Sequence, residues 1–222
     1  MISDSETKHR EREARSEMHE RCERVGIPTY AIPLLAKPDE TQALRYARRL
    51  LDCSDLQLLV LAGPPGVGKT IAGAWWASLP VTRRQWNPMA WTIEGKGAWA
   101  ESVGSSRFES AIELVRHGTY GEGVEFWDDL KTVDRLVLDD LGTEPLDGKG
   151  YALANFSDVL TQRHAWKRQT LITTNLPQDA FSARYLASDG GRLRDRFREG
   201  GLFFEVTGSS LRKRLTLEGG AP

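Results

Sequence analysis

The chain has 222 residues, with 30 Lys and Arg against 31 Asp and Glu and a formal net charge of −1. That balance excludes a global field drawing the protein to nucleic acid, so any such contact needs a local patch. No apolar run approaches the roughly 18 residues that cross a membrane, and Cys22 and Cys53 are far apart without metal-ligand company, as reduced thiols rather than a disulfide or zinc framework.

Residues 1–25 read as a first unit. From Asp4 to Val25 there are six Lys and Arg against seven Asp and Glu, with opposite charges four apart at Glu6–Arg10, Glu11–Arg15 and Glu17–Arg21. Such pairs support a helix, but its apolar positions, Ala14, Met18, Cys22 and Val25, form only a thin stripe. A helix of that kind cannot fold alone. The arm is expected either to be solvated or to dock its stripe on a partner protein. Its dense charge does not fit a secretory signal, and a soluble, cytoplasmic protein without membrane contact is expected. Gly26, Pro28 and Pro33 break the helix and open the main domain, residues 26–215. A helix then carries Leu44, Ala47, Leu50 and Leu51 on one face.

An apolar run from Leu58 to Ala62 leads into Gly63, Pro64, Pro65, Gly66, Val67, Gly68, Lys69 and Thr70. This is G-x-x-x-x-G-K-[ST], with a strand before and a helix after, the setting that a phosphate-binding loop requires. Glycines let consecutive backbone N–H groups turn inward toward phosphate oxygens. The helix starting beneath them adds its positive dipole end. Lys69 is expected to bridge β- and γ-phosphates, and Thr70 to offer its hydroxyl to Mg²⁺.

A helix is expected over 69–79 and a second core strand over 89–93. The stretch 95–125 reads as less regular, with helical pieces such as 107–115. A short helix at 126–132 precedes a buried strand, Leu136 to Leu138, ending in Asp139 and Asp140. An amphipathic helix over 151–168, a strand over 169–175 ending in Asn175, a polar helix over 191–198 and a strand over 201–206 complete the domain. Residues 216–222 are expected to be a flexible tail. Alternating strands and helices predict an α/β fold with a parallel sheet flanked on both faces. Ligands sit beyond the carboxyl ends of such strands. There, Asp139 is expected to hold Mg²⁺ and Asp140 to polarise the attacking water. Asn175 would steady that water without adding negative charge.

Residues 184–214 hold eight Lys and Arg against four Asp and Glu, and Arg192 and Arg196 lie four apart on one helical face. An exposed Arg in a phosphate-loop protein can complete a neighbour's site, and Arg212 is a candidate to reach the nucleotide of its own subunit. Trp86, Trp91 and Trp99 are interleaved with Arg83, Arg84 and Lys96. That combination can stack and clamp single-stranded DNA, although Trp91, in a predicted core strand, fits internal packing equally.

The motifs GPPGVGKT, LVLDDLGTE, LITTN, GGRLRDRF and VTGSSLR, in this order, resemble the AAA+ ATPases and, within them, the DnaC/IstB group of bacterial and phage helicase loaders. The resemblance spans residues 26–215. It implies an AAA+ core with a five-stranded parallel sheet and little or no C-terminal lid. ATP and Mg²⁺ would sit on Gly63 to Thr70, with Asp139 at the metal and Asn175 as sensor 1. Arg196, with Arg192 behind it, would be the arginine finger for an adjacent subunit, and Arg212 the sensor-2 arginine. Asp140 stands where many AAA+ enzymes have Glu, which suits a slow switch better than a motor. The implied partners are a hexameric replicative helicase, gripped by the N-terminal segment, single-stranded DNA, and further copies of the chain. An IstB-like regulator of DNA transposition is the alternative within the same group.

Overall fold

A computed structural model describes residues 4–92, 95–119, 123–144, 150–187 and 191–212. The expected tail at 216–222 lies outside the described residues, as do the side chains of Arg84, Trp86, Trp91, Lys96 and Trp99. In chain order the elements are α1 (Asp4–Val25), α2 (Ile32–Leu35), α3 (Gln42–Asp52), β1 (Leu58–Ala62), α4 (Lys69–Ser78), β2 (Thr82–Thr92), β3 (Gly95–Val103) and β4 (Ser106–Ser110). They continue with α5 (Ala111–Thr119), α6 (Val124–Thr132), β5 (Arg135–Leu141), α7 (Tyr151–Ala165), β6 (Gln169–Thr174), α8 (Gln178–Phe181), a π-helical turn (Ser182–Leu186), α9 (Arg192–Gly200) and β7 (Gly201–Glu205).

Five strands form one sheet in the order β4-β5-β6-β1-β7, and every neighbouring pair is parallel. Parallel strands buried on both faces read as near-continuous apolar runs, which is what LLVLA and RLVLDDL supply. Alternate residues face opposite ways. Leu59, Leu61, Val137 and Leu171 pack with Trp76, Leu44 and Leu50 of the helices on one face. Val60, Leu136, Leu138 and Ile172 pack with Phe126, Phe156 and Val159 on the other.

Two expectations for the middle of the chain are corrected. Residues 89–92 do not enter the sheet. They belong to β2, which pairs antiparallel with β3 in a separate two-stranded ribbon, with a register shift between Asn87 and Trp91. Pro88 lies in that irregular stretch and offers no N–H, a residue that sheets confine to edges and bulges. The fifth strand comes instead from Ser106–Ser110, taken as part of a helix over 107–115. Phe108, Ile112 and Val115 mimic a helical stripe, yet Ile112 is 56% exposed while Phe108, Ala111 and Leu114 are buried. Pairing with β5 sets the conformation of this polar edge strand, against its local pattern.

The N-terminal arm is helical as expected, but its stripe is covered by the chain itself. Cys22 and Val25 are buried in the first core cluster and Met18 packs against it, while Ala14 is exposed. Arg21 Nε donates to Ser78 O at 2.8 Å, tying the helix to the end of α4. Before Met18, Arg12 to Glu17 are exposed.

One buried cation braces the opposite face. Arg163, 1% exposed, donates to Thr170 Oγ1 and to the carbonyls of Leu130, Val133, Asp134 and Gln169. It thereby joins α7 to the end of α6 and to the starts of β5 and β6. Replacement by Ala leaves these acceptors buried and unpaired, so Arg163→Ala should cost about 3 kcal/mol or more in urea unfolding. A change under about 1 kcal/mol would show that water takes over the contacts.

Candidate functional site

The carboxyl ends of β1, β5 and β6 converge on one open cavity of about 730 Å³, walled on its outer side by Tyr30, Leu34 and Thr41 and on its far side by Leu211 and Arg212. Its floor is the loop that follows β1. Gly66 has φ +87, and a Cβ there would collide with Ser210 Oγ. Gly63 has φ +147, and a Cβ would collide with the Val206 carbonyl. Leu211 N donates to Gly66 O at 2.9 Å. The chain after β7 thus folds back onto the loop, and only glycine permits that approach.

Lys69, 6% exposed, opens α4 with its ammonium fully engaged. Nζ donates to Gly63 O at 2.6 Å, Pro64 O at 2.8 Å and Asn175 Oδ1 at 3.0 Å. Burial lowers its pKa, against the raising influence of Asp140 and Asp139. Asn175 turns its other end to the acid: Nδ2 donates to Asp140 Oδ1 at 2.9 Å. One neutral amide therefore spans the phosphate-binding cation and the outer carboxylate.

Asp139, 7% exposed, has its pKa raised by burial, opposed by hydrogen bonds from Thr173 and Thr70. Thr173 Oγ1 donates to Asp139 Oδ1 at 2.6 Å and accepts from Asp140 N at 2.8 Å. Asp140 itself sits at φ +60, within a register shift of β5 against β6 between Leu138 and Leu141. Asp is among the few residues that tolerate this left-handed conformation, and the bulge turns Asp140 away from the sheet toward Asn175.

These residues fit a nucleoside triphosphate with Mg²⁺. The Thr70 hydroxyl and Asp139 carboxylate touch, giving two hard oxygen ligands beside the phosphate loop. Mg²⁺ is held by one or two protein oxygens together with substrate phosphates rather than by an all-protein cage. Accordingly, no group of three or more His, Cys, Asp or Glu that could hold a metal occurs among the described residues.

The structure thus brings together Lys69, Thr70, Asp139, Asp140, Asn175 and Arg212. It does not bring in Arg192 or Arg196. Arg192 is exposed at the first turn of α9, while Arg196 is half-buried in a crevice with Gln57, Arg168 and Phe197, against the starts of β1 and β6. Of the pair expected to serve an adjacent subunit, Arg192 is therefore the more exposed. Sequence reasoning also passed over Thr173, Tyr30 and Thr41. Thr173 looks like any strand residue, and only the folded register puts its hydroxyl between the Asp139 carboxylate and the Asp140 backbone N–H. Thr41 caps α3 by accepting from Leu44 N at 3.0 Å, a helix-start signal that says nothing of a cavity.

Among solved structures, DnaI shares this architecture with a TM-score of 0.52 at 24% identity, over 75% of this chain and 84% of its own. A proposed primosome component from Streptococcus pyogenes serotype M3 gives 0.58 at 19% identity, over 86% of this chain and 97% of its own. AMPPCP-bound DnaA from Aquifex aeolicus gives 0.50 at 21% identity, over 78% of this chain and 49% of its own. At these identities the likeness establishes the fold: an α/β domain built on a parallel five-stranded sheet. No family model matches the chain, and no curated protein sequence does. Among the described residues no helix is long and apolar enough to cross a membrane.

Proposed function

We propose that this chain is an ATP-controlled switch that loads a hexameric replicative helicase onto single-stranded DNA. The observation that carries the reading is the contact chain Lys69–Asn175–Asp140 inside a cavity closed by Arg212. Lys69 can exchange the Gly63 and Pro64 carbonyls for phosphate oxygens. Asn175 then reports that exchange to Asp140, the group placed to polarise a lytic water. Thr70 and Asp139 would hold Mg²⁺, which would supply charge neutralisation to the bound phosphates, and Arg212 would add positive charge from the same subunit.

Self-association would complete the site. Arg192 is exposed at the start of α9 while Arg196 is half-buried, which supports Arg192 as the residue that reaches a neighbour's γ-phosphate. The exposed residues Arg12 to Glu17 of α1 belong to the part of the arm left to grip a helicase, and residues 26–215 act as the ATPase unit. The motifs shared with helicase loaders, and an architecture shared with DnaI and a proposed primosome component, favour replication over other AAA+ tasks. The shorter reach of Asp140 relative to Glu suits slow hydrolysis, stimulated by assembly or DNA.

A pull-down with the hexameric helicase of the same host or phage tests this. An ATP-dependent complex is expected, weakened by Arg192→Ala if assembly contributes to it. Recovery of no helicase with or without ATP, together with hydrolysis stimulated by duplex DNA, would point instead to a regulator of transposition.

A further inference from the structure

At the end of the sheet away from the phosphate loop, three elements converge on a crevice. Gln57 comes from the residue before β1, Arg168 from the residue before β6, and Arg196 from α9. Arg168 Nη1, Arg196 Nη1 and Gln57 Oε1 are buried without a hydrogen-bond partner among the described residues. The space they line is about 20 Å³, enough for a single oxygen atom with its hydrogens. Arg163 lies behind them with its donors already committed. Burial, with repulsion from Arg168, brings its pKa down to about 9.

Asp134 offsets part of the charge at Arg168 and Arg163, but its oxygens are already engaged and one carboxylate stands against three guanidinium groups. Asp134 accepts from Arg83 Nε at 2.6 Å and from Ser105 N at 2.7 Å, and Glu199 is an exposed partner of His164 at 3.6 Å. A water would fill the hydrogen-bonding gap and leave the excess positive charge. An anionic oxygen answers both, with the Gln57 amide turned to present its NH₂.

An aromatic ring stands beside the crevice, against Arg168. Trp166 is 49% exposed, and the Arg168 guanidinium carbon lies 5.2 Å from its ring centroid. Lys167 stands between them at φ +53, just past the end of α7, where glycine is the unstrained choice. The left-handed turn at Lys167 accompanies the contact of Trp166 with Arg168, and Lys167 itself is exposed. The β2–β3 ribbon is rooted at the same end, through Arg83 and Asp134.

We propose that this notch binds a backbone phosphate of single-stranded nucleic acid, with an adjoining base stacked on Trp166. A stacking aromatic beside phosphate-accepting cations is the arrangement used for sequence-tolerant single-strand binding. Duplex bases have no free face to offer. The assignment rests on the reading that the chain acts on single-stranded DNA, and it places that contact at the opposite end of the sheet from ATP.

Fluorescence anisotropy with a labelled oligo-dT tests it. Trp166→Ala should weaken binding about tenfold, and Trp166→Tyr should restore most of the loss. Arg168→Gln should flatten the slope of log K against log salt by about 0.7, the loss of one phosphate contact. Affinity for a fluorescent ATP analogue should stay at the wild-type value in all three, which reports an intact fold. Unchanged oligo-dT affinity and slope in the variants, with tight wild-type binding, would overturn the notch and leave the functional reading standing. Wild-type protein that binds no oligo-dT, or that prefers duplex, would overturn both.

Discussion

Lys69→Ala should lose about 3 kcal/mol of ATP affinity, roughly 150-fold in Kd, in a titration with a fluorescent ATP analogue. Lys69 is buried, begins the helix under the loop, and is the ammonium group that meets both the loop carbonyls and Asn175. Its present partners are neutral, so a phosphate gains from displacing them. Its lowered pKa has burial as the main cause, and an arriving phosphate reverses that pressure by pairing the charge. The alanine variant keeps the helix start, because Lys69 caps nothing with its side chain. An affinity within a factor of three of wild type would mean that the loop backbone alone holds the nucleotide.

Asp140→Asn should separate binding from hydrolysis. Asn175 Nδ2 donates to Asp140 Oδ1, and an Asn at position 140 can still accept there. Asn also tolerates the left-handed conformation observed at φ +60. The geometry therefore survives while the basic carboxylate is lost. Removal of a positioned general base lowers turnover about 10²- to 10⁴-fold, so steady-state phosphate release should fall in that range with ATP affinity within about threefold of wild type. Loss of both together would make Asp140 a structural prop of the bulge. Unchanged turnover would move the base elsewhere.

Local motifs were readable from the chain alone because their chemistry is local. The phosphate loop needs glycines and a lysine at fixed spacing, and Asp139, Asp140 and Asn175 each follow an apolar strand in the place where a parallel sheet presents ligands. What was not readable depended on pairing between distant segments. Ser106–Ser110 carries no strand signature of its own, and it is β5 that draws it into the sheet. Residues 89–93, MAWTI, have the composition of a core strand, yet 89–92 belong to β2, whose register pairs it with β3. The stripe of α1 left open a solvated arm or a docking surface for a partner protein, and Met18, Cys22 and Val25 pack instead on the chain's own core. Arg196 illustrates the same limit at a single residue: its helical spacing from Arg192 is visible, but the side of α9 covered by Gln57 and Arg168 is not.

Strand displacement from a circle measures the proposed loading step most directly. A hexameric helicase cannot thread onto a closed single-stranded circle unless its ring is opened, so release of a short fragment annealed to that circle reports loading. With this chain and ATP, fragment release by the helicase of the same host or phage should rise at least about tenfold, and Lys69→Ala should abolish the increase, in line with its predicted loss of ATP affinity. The same rate of release with and without the chain, under conditions where the helicase unwinds a free-ended substrate, would contradict the account.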